Sequence, residues 1–265
     1  MRALSGAGES WVWEEEAWRA SGGVPLSDRG FRHGAGLFET IGVRAGRPLF
    51  WDDHLDLLCR SGDAFGFPEF PAGLRPPSEI AGKEGMLRLH WTAGDGRPDD
   101  PIREPRLFAA FEPVADLGDG PASVRVEVEV GLEQPFMGTK THLYWPRLRL
   151  LAQAREAGSG ECLLVGQGGG LVSGTVSNVF GRVGSQWRTP SVSSGARPGV
   201  VRKWVLEQGW ASESDDLPLE DLEEAFLTNS RIGILPVSSI GSRSLASTQF
   251  AANLREHYQQ QILGR

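Results

Sequence analysis

Lysine is scarce in this chain. Of its 27 basic residues, Lys83, Lys140 and Lys203 are lysines and the rest are arginine. Arginine supplies positive charge but keeps its proton in proteins, whereas a lysine amine can be tuned into a nucleophile or a base. Lys83 lies in the turn-like AGKEG and Lys203 in the helical stretch VRKWVLEQ, where a solvated charge is all that is needed. Lys140 stands between two threonines in MGTKTHLYW, just after an alternating strand. It is the candidate nucleophile.

Two further stretches suit an anion. In RPGVVRKWVLE, Pro198 and Gly199 open a helix whose first amides, at Val200 and Val201, have no intrahelical partner. Free N–H groups and the helix dipole together favour a phosphate there. TNSRIG adds the hydroxyls of Thr228 and Ser230 near a glycine. A nucleophilic lysine with a phosphate grip is the combination by which proteins hold pyridoxal phosphate. Other motifs carry less. GQGGG at 166–170 precedes no helix and reads as a hairpin turn, and GAG at 34–36 as a turn before a strand. His33, His54, His90, His142 and His257 show no ligand spacing such as HExxH, so no metal is expected; His54, at a helix start, reads as structural. Cys59 and Cys162 are far apart and form no CxxC, which excludes a disulfide framework or a zinc module.

The elements that must position these groups fall into two lobes. GLFETIGVRAGRPLFW reads as two strands around an Ala45-Gly46 turn. WDDHLDLLCRSGDAFGF has helical periodicity, with Asp52 or Asp53 as N-cap, and PEFPAGLRPPSEI leads into a further helix. GMLRLHWTAG and PRLFAAFEPV are strands. ADLGDGPAS is a linker, which sets the domains at 1–114 and 123–265 with 115–122 between them. Beyond it VRVEVEVG alternates as a strand, WPRLRLLAQAREAG is a helix ending at Gly158, and ECLLV to QWRTP is a run of short strands. GVVRKWVLEQGW, PLEDLEEAF and STQFAANLREHYQQQIL read as helices, and FLTNSRIGILPVSSI as a strand with a loop. The class is α+β. A net charge of −7 argues against nucleic acid, no apolar run approaches the ~20 residues of a membrane span, and MRALSGAGESWVWEEE lacks an apolar signal core. A cytoplasmic protein is expected.

The ordered set SDRGFRHGAGLFETI, DDHLDLLCRSGDAFG, TKTHLYWPRLRLLAQAREAG, LVSGTVSNVF, RTP, RPGVVR and FLTNSRIGILPV resembles the class IV, or fold type IV, pyridoxal-phosphate enzymes. These include branched-chain and D-amino acid aminotransferases and 4-amino-4-deoxychorismate lyase. The resemblance spans about Ser27 to Val237. It implies a small α/β N-terminal domain, a larger sheet-rich C-terminal domain, a cofactor cleft between them and a homodimer. Lys140 falls on the Schiff-base lysine. The amides of Val200 and Val201, with Ser230, fall on phosphate contacts; Tyr144, Ser173, Thr175 and Asn178 fall on neighbouring positions. Thr40, in FETI, and Arg97 fall near the substrate.

Two positions depart from the family pattern. Where the family commonly writes HLxRL, with its arginine on the phosphate, HLDLL has Leu57; Arg60 is the nearest substitute. Losing a charged donor to a dianion weakens its binding by ~1.5–3 kcal/mol. Where the family has the glutamate that pairs with the pyridine nitrogen, VSGTVSN has Ser173. A carboxylate keeps that nitrogen protonated and a neutral hydroxyl does not. Three functions follow: an aminodeoxychorismate-type lyase giving 4-aminobenzoate and pyruvate, a class IV aminotransferase of branched-chain or D-amino acids, or a non-catalytic relic that binds the cofactor weakly. FETI and FLTNSRIGILPV lean toward the lyase branch.

Overall fold

The structure, a computed structural model, describes residues 9–114, 117–118, 121, 123–130, 138–166 and 168–264. The chain divides into two compact units. One comprises the described residues through Leu117 together with Lys140–Leu143; the other comprises Gly118–Thr139 and Tyr144–Arg265. The expected linker at 115–122 lies largely outside the described residues. Lys140, expected in the C-terminal domain, clusters with the first unit.

In the first unit β1 (Glu9–Glu14), β2 (Ala17–Ala20), β3 (Gly36–Arg44), β4 (Arg47–Pro48), β5 (Gly85–Thr92) and β6 (Arg106–Pro113) form an antiparallel sheet in the order β2-β1-β6-β5-β3-β4. The helices are α1 (Arg29–His33) and α2 (Trp51–Ala64). Side chains alternate across a strand. Leu37, Ile41 and Val43 therefore share a face with their cross-strand neighbours Leu87, Leu89 and Trp91, and with Leu58 of α2 they form the core. Phe38, Thr40, Arg88 and His90 are left on the opposite face. This face receives Lys140.

Three local expectations change. The N-cap of α2 is Phe50 in a left-handed conformation, with Asp52 and Asp53 inside the first turn, where they favour the helix dipole without capping it. PEFPAGLRPPSEI yields only a short 3-10 turn at Ser78–Ile80, because its prolines cannot donate to a helix. β1 and β2 lie in a stretch for which no strands were expected.

The second unit holds a mixed sheet in the order β12-β11-β10-β13-β14-β7-β8-β9, with β15 (Arg243–Ser244) on β14. Its strands are β7 (Val124–Val130), β8 (Glu161–Val165), β9 (Leu171–Gly174), β10 (Asn178–Val183), β11 (Gln186–Pro190), β12 (Ser212–Ser214), β13 (Glu224–Asn229) and β14 (Gly233–Ile240). The helices are α3 (Trp145–Glu156), α4 (Val200–Glu207) and α5 (Gln249–Tyr258). PLEDLEEAF is not helical. Its second half starts β13, central in the sheet, because Ala225 and Leu227 are buried in the core and Arg182 of β10 pairs with Glu223 and Glu224. Leu222 is pressed against Gly181, where an added Cβ would lie 2.3 Å from its Cδ2.

Candidate functional site

In the first unit, the segment after Lys140 continues the sheet edge. Thr141 bridges Leu37, the Phe38 amide donates to the Lys140 carbonyl (2.9 Å), and the His142 amide to the Gly36 carbonyl (2.9 Å). This pairing fixes the lysine over the polar face of β3. Its Nζ donates to Thr40 Oγ1 at 2.9 Å and lies 4.6 Å from the Phe38 ring centroid. Beside it His90 Nδ1 and His142 Nε2 are 3.0 Å apart, with the His90 ring stacked on Phe38. His54, on the other face, meets buried Glu39 at 2.9 Å, consistent with a structural role.

Burial, then the charges of His142, Arg88 and Lys140, push the pKa of His90 down to about 3, and burial lowers that of His142. The His90 imidazole is therefore neutral in the fold at ordinary pH, while in the unfolded chain it takes up a proton near 6.5. Its contribution to stability is then fully present above that value and falls as pH drops from about 6.5 toward 3, by up to ~1.4 kcal/mol per pH unit, and the lowered pKa of His142 acts in the same direction. Urea midpoints followed from neutral to acid pH should show this decline, and His90→Gln should flatten it. An unchanged slope in the variant would assign the acid sensitivity elsewhere.

In the second unit, one loop gathers most of the predicted residues. Thr175 carbonyl accepts from the Tyr144 hydroxyl (3.0 Å), Val176 carbonyl from Asn229 Nδ2 (3.1 Å), and Asn178 Nδ2 donates to the Arg197 carbonyl (2.7 Å). The loop is thereby tied to the start of α3, to the turn holding Ser230, and to the start of α4. There Gly199 is the N-cap, no side chain caps the helix, and Val200 and Val201 are its buried first residues. A Cβ at Gly199 would fall 2.3 Å from Asn178 Oδ1, so the close approach requires glycine. Thr228 pairs with Asn178 across β10 and β13, so their side chains share a face, and its buried hydroxyl has no hydrogen-bond partner among the described residues. Uncapped amides and an orphan hydroxyl beside them are what a phosphate satisfies.

Sequence reasoning missed the carboxylate that organises this loop. Glu161 is buried; Oε1 accepts from Thr175 Oγ1 and from the amides of Cys162 (2.9 Å) and Thr175 (3.2 Å). Oε2 accepts from Ser177 Oγ (2.8 Å) and the Val176 amide (3.2 Å). The Thr175 hydroxyl is thus engaged with Glu161. The available signal was a lone acidic residue heading the otherwise apolar ECLLV. Ser173 is buried on β9, and Arg147 Nη1 donates to its hydroxyl and to the Gly174 carbonyl, both at 3.3 Å.

The remaining predicted residues, Arg60 and Arg97, belong to the first unit. Arg60 is exposed on α2, donating to the Asp56 carbonyl (3.3 Å), whereas Leu57 is buried. Arg97 is exposed in the loop beyond Thr92, which sits opposite Gly36, while Thr40 sits opposite Arg88; β3 and β5 do not bring Thr40 and Arg97 together. The Arg97 amide is held by Asp100 (2.8 Å).

A family model described as amino-transferase class IV matches residues 36–240. The chain belongs to that family. It is an enzyme, and its cofactor is pyridoxal 5'-phosphate. It is 25% identical over 241 residues to the aminodeoxychorismate lyase of Vibrio harveyi, covering 83% of this chain and 88% of that one. To the D-alanine aminotransferase of Bacillus licheniformis it is 24% identical over 250 residues, 86% and 87% of the two chains. The solved 4-amino-4-deoxychorismate lyase of Pseudomonas aeruginosa superposes with a TM-score of 0.81 at 25% identity, over 96% of this chain and 99% of that one. The two-unit α+β architecture is that of fold type IV. No described helix is long and apolar enough to cross a membrane.

Proposed function

We propose that this enzyme is a lyase of the aminodeoxychorismate type, eliminating pyruvate from its substrate to leave 4-aminobenzoate. The observation that carries this reading is the Lys140–Thr40 pair, an amine and a hydroxyl 2.9 Å apart. When bound, pyridoxal 5'-phosphate supplies an aldehyde that captures amines and a ring that draws electrons from the amine-bearing carbon. The amides of Val200 and Val201, with the Thr228 and Ser230 hydroxyls, would hold its phosphate, and Ser173, Tyr144 and Asn178 would surround it.

An elimination needs one group to take a proton and another to deliver one. Lys140 takes the proton from the amine-bearing carbon. The neighbouring carbon–oxygen bond then breaks, and its electron pair leaves with the oxygen. Thr40 accepts a hydrogen bond from Nζ, so its own O–H remains free to protonate that oxygen. Lys140 returns the captured proton to Thr40, which closes the cycle. The oxygen departs as the enol of pyruvate, which tautomerises, and the ring left behind becomes aromatic.

The test is purified protein with added cofactor and 4-amino-4-deoxychorismate, following 4-aminobenzoate by chromatography. Product should form, and Thr40→Val should lower kcat by roughly 10²-fold or more, since acid catalysis of this kind contributes about 10²–10⁴. Amino transfer from D-alanine or L-leucine to an oxo acid, with no 4-aminobenzoate, would replace this reading with the aminotransferase. An absorbance spectrum unchanged by cofactor would overturn this reading of Lys140 and its phosphate site.

A further inference from the structure

We infer that Arg147, acting through Ser173, keeps the ring nitrogen of the bound cofactor unprotonated. This rests on the reading above, in which Ser173 is among the residues around the cofactor, and on its standing where the family pattern has the glutamate that pairs with that nitrogen. Arg147 Nη1 donates to Ser173 Oγ at 3.3 Å and to the adjoining Gly174 carbonyl at 3.3 Å, so the guanidinium is held at this end of β9 by two contacts. With its oxygen engaged as an acceptor, the buried hydroxyl has its proton left to donate. A neutral pyridine nitrogen accepts such a bond, whereas a pyridinium would present a donor to a donor.

Charge acts in the same direction. Arginine retains its positive charge throughout the accessible pH range, and a cation close by disfavours a second one on the ring. Glu161, the carboxylate that organises the loop after β9, makes its hydrogen bonds to that loop and to Cys162 rather than to Ser173 or Arg147. Both of its oxygens accept from Thr175, Ser177 and backbone amides, and Gly174 stands between Ser173 and the first of those loop residues. Arg147 is thus a positioning residue that sets the ring as a weak electron sink. Elimination, which discharges its electrons into a leaving group at once, runs on such a ring; full amino transfer, which must store them there, is suppressed.

Nitrogen-15 NMR of protein reconstituted with ring-¹⁵N cofactor reads the protonation directly, without turnover. From mildly acidic to mildly alkaline pH, wild type should show the neutral-pyridine shift throughout. Arg147→Lys keeps the charge and should match it, while Arg147→Gln should move toward the pyridinium shift at the acid end. Ser173→Glu should give the pyridinium shift at every pH. A pyridinium shift in wild type, or an Arg147→Gln titration identical to wild type, overturns the inference and leaves cofactor binding intact. Absence of any protein-bound signal in wild type overturns both the inference and the reading beneath it.

Discussion

Lys140→Ala is expected to abolish covalent capture of the cofactor. In wild type, borohydride reduction should fix the cofactor to the peptide containing Lys140; in the variant no peptide should be labelled. The two other lysines do not compete. Lys83 pairs with Glu9 at 2.6 Å and Lys203 with Glu207 at 3.6 Å, both as solvent-facing ion pairs. Lys140 is half-buried, over Phe38 and against Thr40. Product formation should fall at least roughly 10²–10⁴-fold, the range associated with losing a positioned proton-transfer group, with the covalent contribution lost in addition. Lys140→Arg separates charge from chemistry. It preserves the cation but has no amine to lose a proton, so it should fail as completely as alanine. Labelling at Lys83 or Lys203, or activity retained in either variant, would remove Lys140 from its role.

The sequence made Lys140 legible because its chemistry is a property of one residue type in an arginine-rich chain. The same holds for elements governed by one period. Strict alternation in Val124–Val130 read as a strand, and the apolar spacing around Leu55 and Leu58 read as α2. PLEDLEEAF misled because helix-favouring Glu and Leu dominate it locally. The Arg182 ion pairs and burial between β10 and β14 decide for strand, and neither is visible in a local window. β1 and β2 were hidden by the tryptophans and glutamates of ESWVWEEEAWRA, which blur alternation. Only their pairing with each other and with β6 gives them a partner.

The site was legible by type and illegible by partnership. Spacing identified Val200 and Val201 as unpartnered amides, since a helix start depends on its own few residues. It could not find Arg147 beside Ser173, separated by 26 positions, nor the orphan Thr228 hydroxyl sharing a face with Asn178. Such contacts arise from strand order. For the same reason the engagement of the Thr175 hydroxyl with Glu161 was not visible in the sequence.

Glu161→Ala should be the most damaging change outside the reacting groups. Its carboxylate accepts from two hydroxyls and three amides, all within the turn from β9 to β10 or at the start of β8. Truncation strands most of those donors in a largely buried site, although the Thr175 amide keeps the Cys162 carbonyl at 3.0 Å, and each group left unsatisfied costs about 1–3 kcal/mol. Partial relaxation brings the expected loss to ~3–5 kcal/mol, the large end of single-substitution effects that comes with breaking a buried hydrogen-bond network. Glu161→Gln discriminates between size and charge. Its amide nitrogen in place of Oε2 can donate to Ser177 Oγ, which can turn to accept, but it meets the Val176 amide donor to donor. Loss of about 1–3 kcal/mol is expected, between wild type and alanine. Urea unfolding of cofactor-free protein measures both, so that ligand linkage does not enter. Because the same loop ties Tyr144, Asn229 and Asn178 together, cofactor affinity should weaken in the same order, even though Glu161 is not proposed to touch the cofactor. An alanine variant with wild-type stability and affinity would mean the loop holds its shape without the carboxylate, and the organising role would pass to its backbone ties alone.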